Sequence, residues 1–396
     1  MMKREIDVLI YGDLAALDLV FGEYLARRGL RVIVARKNRE GQNPTLHASS
    51  DFHQALSAES VLKISSPWQL IRIARKARVI VTIIGALGFA LNWRWPLRGL
   101  FGLPPVINIA AGSDFSELLS EKSHLGFFYR YFVRKCFVNL TVPYPHIVKN
   151  IVGQRIRNFS FLRFPYLLPP PPPVMDTTEL RTGPLRFFHP SHIDFKINDP
   201  GDHRNSSKGN DRFLRALLKA FDDGFDAQCT ILYRGPDRDI ARKMTDNSHH
   251  SARFIWKDTL SRDDLNLEIG AADIVVDQFD VGGLGGIAIE AMAMGKPVLV
   301  YLHPGCLDLL YPDHPPVINA YHEVEIYQAL WANADRRKLM ALGRAAQRWV
   351  YSYHSGDTCI EPLLLYYFQA TGHNVSRCCQ TPELSVEELP DARRNQ

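Results

Sequence analysis

Residues 272–302 read ADIVVDQFDVGGLGGIAIEAMAMGKPVLVYL, and four glycines, Gly282, Gly283, Gly285 and Gly286, separate an apolar strand-like run from a helical one. Backbone without Cβ atoms can approach a ligand closely. The first turn of a helix carries amides that have no intrahelical acceptor, and its dipole favours negative charge. A diphosphate is the natural occupant of such a turn. Glu290 follows about one turn into the helix, beside Ala288, Ala291 and Ala293. A carboxylate among small residues near the C-terminal end of a strand is suited to accept hydrogen bonds from vicinal hydroxyls, such as those of a ribose.

The elements needed to position this segment are legible as an alternation of strands and helices. Ile6–Tyr11 predicts a strand, 14–28 a helix closed by Gly29, and 32–35, 79–84, 106–109, 138–142 and 159–164 further strands. After an unbroken proline run at 169–173 the pattern restarts, with strands at Leu185–His189, 229–233, 253–256, 274–277 and 297–302 and helices at 213–221, 265–271 and 286–294. Strands separated by crossover helices predict parallel sheets, and prolines in sequence favour an extended linker. The expected fold is α/β: two Rossmann-like, doubly wound domains facing each other across a cleft. The expected boundaries are 1–168 for the first domain, 169–183 for the linker and 184–355 for the second domain. A terminal helix at 356–372 and a polar, disordered tail at 373–396 complete the division.

Composition limits the alternatives. At 396 residues, with 46% hydrophobic and 22% charged residues, the chain has the make-up of a globular protein of two domains. The longest apolar run, 79–91, is shorter than the roughly 20 residues of a membrane span, and the N-terminal residues run directly into a strand without a signal segment. None of the six cysteines forms a Cys-x-x-Cys pair, which predicts reduced thiols in a cytoplasmic protein. The net charge of +5 conceals an asymmetry: residues 1–165 hold 23 Lys and Arg against 11 Asp and Glu, and the remainder is net acidic. Segments 92–101 and 125–135 mix aromatics with cations, which predicts either ordinary core helices with snorkelling arginines or peripheral contact with an anionic membrane face. No nucleic-acid partner is expected.

The segment Glu290-Ala291-Met292-Ala293-Met294-Gly295-Lys296-Pro297-Val298, preceded by Gly283-Leu284-Gly285, resembles the signature of the retaining two-Rossmann (GT-B) glycosyltransferases of family 4, also called group 1. The resemblance covers 185–302 well and the rest of the chain loosely, and it implies that the terminal helix at 356–372 crosses back onto the first domain. It implies that Glu290 and Lys208, within Ser207-Lys208-Gly209, act on a nucleoside-diphosphate sugar, the lysine gripping the diphosphate. It also implies that Gly235 lies beneath the nucleobase, that Trp256 and Lys257 contact the base, and that Asp114, in a turn resembling His-Gly-Ser-Asp, orients the acceptor. His192 stands near the place of a phosphate-binding arginine that this chain lacks there. Gly282 occupies the position of the family's first glutamate, leaving Asp280 or backbone amides to meet the donor sugar, and Ala111 replaces a histidine.

The implied reaction transfers a sugar to an acceptor hydroxyl with retention of configuration, and the leaving diphosphate itself assists deprotonation of the acceptor. No metal and no cofactor beyond the sugar-nucleotide donor are expected, and the expected acceptor is a saccharide or a lipid-linked hydroxyl. Two other readings stay open: a degenerate scaffold that binds nucleotide without transfer, motivated by Gly282 and Ala111, and a dinucleotide-dependent oxidoreductase. The second is disfavoured by the single glycine, Gly12, after the first strand.

Overall fold

The computed structural model describes residues 4–12, 17–37, 55–83, 103–110, 115, 118–166, 168, 181–195 and 207–372. Asp114 and Ala111, the segment 92–101, the proline run 169–173 and the tail 373–396 lie outside the described residues. The chain divides into two compact units, one formed by Met1–Leu167 with His354–Gln396 and the other by Leu168–Tyr353.

In the first unit, β1 (Ile6–Tyr11), β2 (Val32–Lys37), β3 (Val61–Ile64), β4 (Ala77–Ile83), β5 (Val106–Ala110), β6 (Val138–Thr141) and β7 (Phe159–Phe161) form one sheet in the order β3-β2-β1-β4-β5-β6-β7. Every neighbouring pair is parallel. The central strands are apolar almost throughout because helices cover both faces of a parallel sheet, and β5 is buried along its whole length. Three of the polar exceptions pair with one another: Thr82 donates to Asn108 (2.8 Å) and Asn108 to Asn139 (3.0 Å), a polar chain across three strands. Buried polar groups linked in this way avoid the cost of losing water. The helices here are α1 (Leu17–Arg27), α2 (Pro67–Ala74), α3 (His124–Lys135) and α4 (Pro145–Gly153). On α3, Tyr129, Phe132 and Val133 enter the core, whereas Phe127 and Phe128 are 60% and 41% exposed.

In the second unit, β8 (Leu185–His189), β9 (Ala227–Leu232), β10 (Phe254–Lys257), β11 (Ile274–Val276), β12 (Val298–Val300) and β13 (Ile318–Asn319) run parallel in the order β10-β9-β8-β11-β12-β13. Around them lie α5 (Asn210–Asp222), α6 (Arg238–Asp246), α7 (Arg262–Ala271), α8 (Gly286–Ala293), α9 (Pro304–Leu307), α10 (Glu323–Ala332) and α11 (Arg336–His354). The amphipathic α5 buries Phe213, Leu214, Leu217 and Phe221, and the Phe213 ring stacks on Phe279 beyond β11.

The final helix, α12 (Gly356–Thr371), packs into the core of the first unit through Ile360, Leu363, Leu364 and Tyr367. Gly356 lies so close to Tyr24 that a Cβ there would fall 1.9 Å from the ring, and Arg28 holds Glu361 at 2.8 Å. Strands β3 and β13 were absent from the sequence-based expectation: each is an edge strand of four residues or fewer, too short for a pattern. The four cysteines among the described residues, Cys136, Cys229, Cys306 and Cys359, are buried, and none is joined in a disulfide. No described helix is long and apolar enough to cross a membrane.

Candidate donor site at the sheet switch of the second unit

The strand order of the second sheet reverses between β8 and β11, and open α/β sheets bind ligands beyond the C-terminal ends of the strands that flank such a reversal. Beyond β8 the chain runs through Pro190, Ser191 and His192; beyond β11 it runs through Asp277 into the glycine turn. One carboxylate ties the two together. Asp277 accepts from the Ser191 hydroxyl (2.5 Å) and from the Gly285 amide (3.1 Å), and it is fully buried. A Cβ on Gly285 would sit 2.4 Å from that carboxylate, so glycine is required here for close approach.

This pairing corrects one expectation. The amide of Gly285 is not presented to a ligand, because Asp277 takes it. The amides of Gly283 and Gly286 have no partner among the described residues, and Gly286 opens α8. Gly282 has φ +77°, and its carbonyl accepts from the His303 amide. A side chain at that φ is strained, so the loop geometry itself accounts for glycine where the resemblance places a glutamate.

Lys208 lies at the same end of the sheet. Its backbone is gripped on both sides, its amide donating to the Asp194 carbonyl (2.7 Å) and its carbonyl accepting from the Phe279 amide (2.7 Å). The ammonium donates to the side-chain carbonyl of Gln278 (3.2 Å), and the Gln278 amide group donates to the Gly283 carbonyl (2.9 Å). Gln278 thus ties the lysine to the glycine turn. The sequence reading missed it; its position, one residue after the strand-end aspartate, was the available signal.

Glu290, on α8, is held by Arg262 at the start of α7: two guanidinium nitrogens meet its two oxygens, each at 2.8 Å. Both side chains are largely buried, at 18% and 29% exposure. Burial opposes the charge of Arg262, but the hydrogen bond and attraction to Glu290 outweigh it and raise the pKa of the arginine. Arg262 was also missed, since nothing in its local sequence marks it.

His192 is exposed, and partial desolvation, followed by the charges of Arg234 and Lys208, lowers its pKa. His189 is buried against Asn210 (3.0 Å), and burial, with the same two cations adding, pushes its pKa down to about 3. A neutral imidazole is the stable form at both positions near neutral pH. Gly235 has φ +109°, and a Cβ would fall 2.3 Å from the Ile193 carbonyl oxygen, so it locks the β9 turn against the loop after β8.

The remaining expected contacts are engaged within the unit. Asp280 accepts from Ser207 (2.5 Å) and from Arg212 (3.2 Å), so both its oxygens are taken. Trp256 donates its indole N–H to Thr245 (3.1 Å), and Lys257 pairs with Glu268 (2.6 Å). The structure therefore ties Lys208 through Gln278 to the glycine turn, with Glu290 on the helix that leaves the turn and His192 in the loop after β8. Asp280, Trp256 and Lys257 already hold internal partners, and Asp114 lies outside the described residues.

Two parallel, doubly wound α/β units, with such a site on the second, define the fold class of the GT-B glycosyltransferases. Residues 204–325 match the model of the family described as Glycosyl transferases group 1. Among solved structures, the chain is similar to HepE of Anabaena in complex with UDP, with a TM-score of 0.63 and 13% identity over 91% of this chain and 99% of that one. It is similar as well to sucrose-phosphate synthase from Thermosynechococcus elongatus, with a TM-score of 0.60 and 13% identity over 92% and 99% of the two chains. A glycosyltransferase from Rickettsia africae gives a TM-score of 0.60 and 12% identity over 92% and 99%. No curated protein matches the sequence.

Proposed function

We propose that this protein is a glycosyltransferase that moves a sugar from a nucleoside-diphosphate donor to an acceptor hydroxyl, with retention of configuration and without a metal. What supports the reading is that Lys208 is tied through Gln278 to the Gly283 turn at the switch point of the second sheet, and that Glu290 stands on the helix that leaves this turn. The group 1 match over 204–325 supports the same class, and the UDP in the HepE structure makes uridine the first base to try.

In this reading, Glu290 receives the ribose hydroxyls. An ionised carboxylate has about four lone-pair sites, so two remain after Arg262 has taken its pair. Lys208 and the two amides stabilise the charge that grows on the leaving diphosphate, and preorganised donors aimed at developing charge are the largest usual contribution to such catalysis. The diphosphate assists deprotonation of the acceptor, which Asp114 orients. The setting is cytoplasmic synthesis of a cell-envelope or other glycoconjugate.

The acceptor is lipid-linked in the version that the first unit favours. Phe127 and Phe128 stand out from α3, with Arg134 and Lys135 exposed on the same helix, and such a mixture suits the interface of an anionic membrane. Flotation with anionic liposomes is expected for the wild type and not for a Phe127→Ser/Phe128→Ser variant; no flotation of the wild type removes the membrane contact. A second reading, a nucleotide-binding scaffold without transfer, draws on Gly282 at φ +77°.

A thermal-shift panel of nucleoside diphosphates and sugar nucleotides tests the site, because a ligand stabilises the state that holds it. Release of nucleoside diphosphate that depends on acceptor tests transfer. No shift with any member refutes the site; a shift without release favours the scaffold.

A further inference from the structure

Most cations of the second unit that surround the site are already neutralised. Arg212 pairs with Asp280, Arg262 with Glu290, Lys257 with Glu268, and Arg215 with Asp211 and Glu323. Arg238 and Arg242 lie over the ring of Tyr233. Arg234 is different. Its Nε is buried without a hydrogen-bond partner, and its guanidinium forms no ion pair among the described residues.

The backbone that carries Arg234 is fixed. Its amide donates to the Leu232 carbonyl (2.8 Å), and its carbonyl accepts from the Ile193 amide (2.9 Å). Gly235 presses the turn onto Ile193, where no Cβ fits. The side chain leaves this turn at the end of β9, next to the end of β8, and its charge acts on Asp277, Glu290, His189 and His192. Neither carboxylate bonds it among the described residues: Asp277 accepts from Ser191 and Gly285, and Glu290 from Arg262. The ammonium of Lys208, whose charge acts on the same two histidines, has only the neutral Gln278 as partner among the described residues. A buried guanidinium donor without an acceptor is costly, and the charges of Arg234 and Lys208 together exceed that of Asp277, whose own hydrogen-bond partners are neutral, so this sheet end keeps a net positive charge that an anion would neutralise.

We infer that Arg234 is the second cation of the donor site, and that together with Lys208 it makes the site select two linked phosphates over one. A single phosphate satisfies one of the two cations; a diphosphate satisfies both. The guanidinium presents several N–H donors in a planar fork suited to phosphate oxygens, which an ammonium does not. The inference rests on the nucleoside-diphosphate reading of the site.

The experiment compares UDP, UMP, uridine and inorganic pyrophosphate on the full chain by calorimetry, for the wild type, Arg234→Gln and Arg234→Lys. The expected result is a wild-type preference for UDP over UMP that falls about tenfold or more in Arg234→Gln, recovers in part in Arg234→Lys, and leaves uridine binding unchanged. Phenylglyoxal mapping of the wild type serves if the variants fold poorly: UDP and pyrophosphate are expected to protect Arg234 from modification. An unchanged UDP-to-UMP ratio in Arg234→Gln, or modification of Arg234 at the same rate with UDP bound, overturns the inference and leaves the proposed function standing. If UDP, ADP and GDP all fail to bind the wild type, the proposed function falls, and protection of Arg234 by pyrophosphate alone then decides whether the anion site survives.

Discussion

Glu290 and Arg262 face each other in a bidentate pair, two nitrogens on two oxygens at 2.8 Å each, joining the first turn of α7 to the second turn of α8. The pair does two things at once. It gives a largely buried arginine its counter-charge, and it fixes the plane in which the remaining carboxylate lone pairs project. A planar guanidinium achieves this where a flexible ammonium would not. Arg262 therefore positions the group that the sequence singles out for the ribose.

Removing the carboxylate tests that role most directly. Glu290→Ala is expected to abolish the thermal shift from the best-binding nucleotide. It also leaves Arg262 partly buried and unpaired, a loss on the order of 2 kcal/mol in unfolding free energy. Arg262→Lys should bind nucleotide about tenfold more weakly than wild type, because a point charge cannot hold both oxygens. A Glu290→Ala protein that retains the full shift contradicts the assignment.

Gln278 gives the lysine its aim. In Gln278→Leu the ammonium of Lys208 loses its acceptor and the Gly283 carbonyl loses its donor. Diphosphate affinity should fall several-fold, less than the roughly tenfold or greater loss in Lys208→Ala. Titrations of both variants decide the order, and equal losses would mean that Gln278 does more than orient.

Gly285→Ala places a methyl group 2.4 Å from the Asp277 carboxylate. The carboxylate must shift, breaking the tie between the β8 and β11 loops, at an expected cost of about 1–3 kcal/mol. Urea unfolding measures it. Stability equal to wild type would show that the two loops are not held by Asp277.

Acid should weaken the fold before carboxylates titrate. Burial lowers His189 to about 3 and His354, whose ring nitrogen bonds the Phe164 carbonyl, to about 4, from 6.5. Below pH 6.5 the unfolded chain takes up protons that the folded chain refuses, so stability is present in full above that pH and is lost as pH falls. Between pH 6.5 and about pH 5, above the ordinary carboxylate range, each buried histidine contributes up to about 1.4 kcal/mol per pH unit. Unfolding curves at pH 7 and 5.5 check the slope, and His354→Gln should reduce it; a flat profile in the wild type excludes the mechanism.

The amino-acid sequence by itself determined the two α/β units and the segment that bears the glycine turn and Glu290. Central parallel strands are buried on both faces and so appear as apolar runs such as β4 and β5, and glycines at a strand–helix junction are a local pattern. Edge strands β3 and β13 escaped because two to four residues at a sheet margin carry little periodicity. What only the tertiary structure decided is partnership. The pairing of Arg262 with Glu290 spans 28 residues, Lys208 with Gln278 spans 70 and Ser191 with Asp277 spans 86. Likewise, Asp280 and Lys257 read as open charges until the fold supplies Arg212 and Glu268. A residue's type states which bonds it can make, but which of them are already spent depends on neighbours that only folding brings within hydrogen-bonding reach.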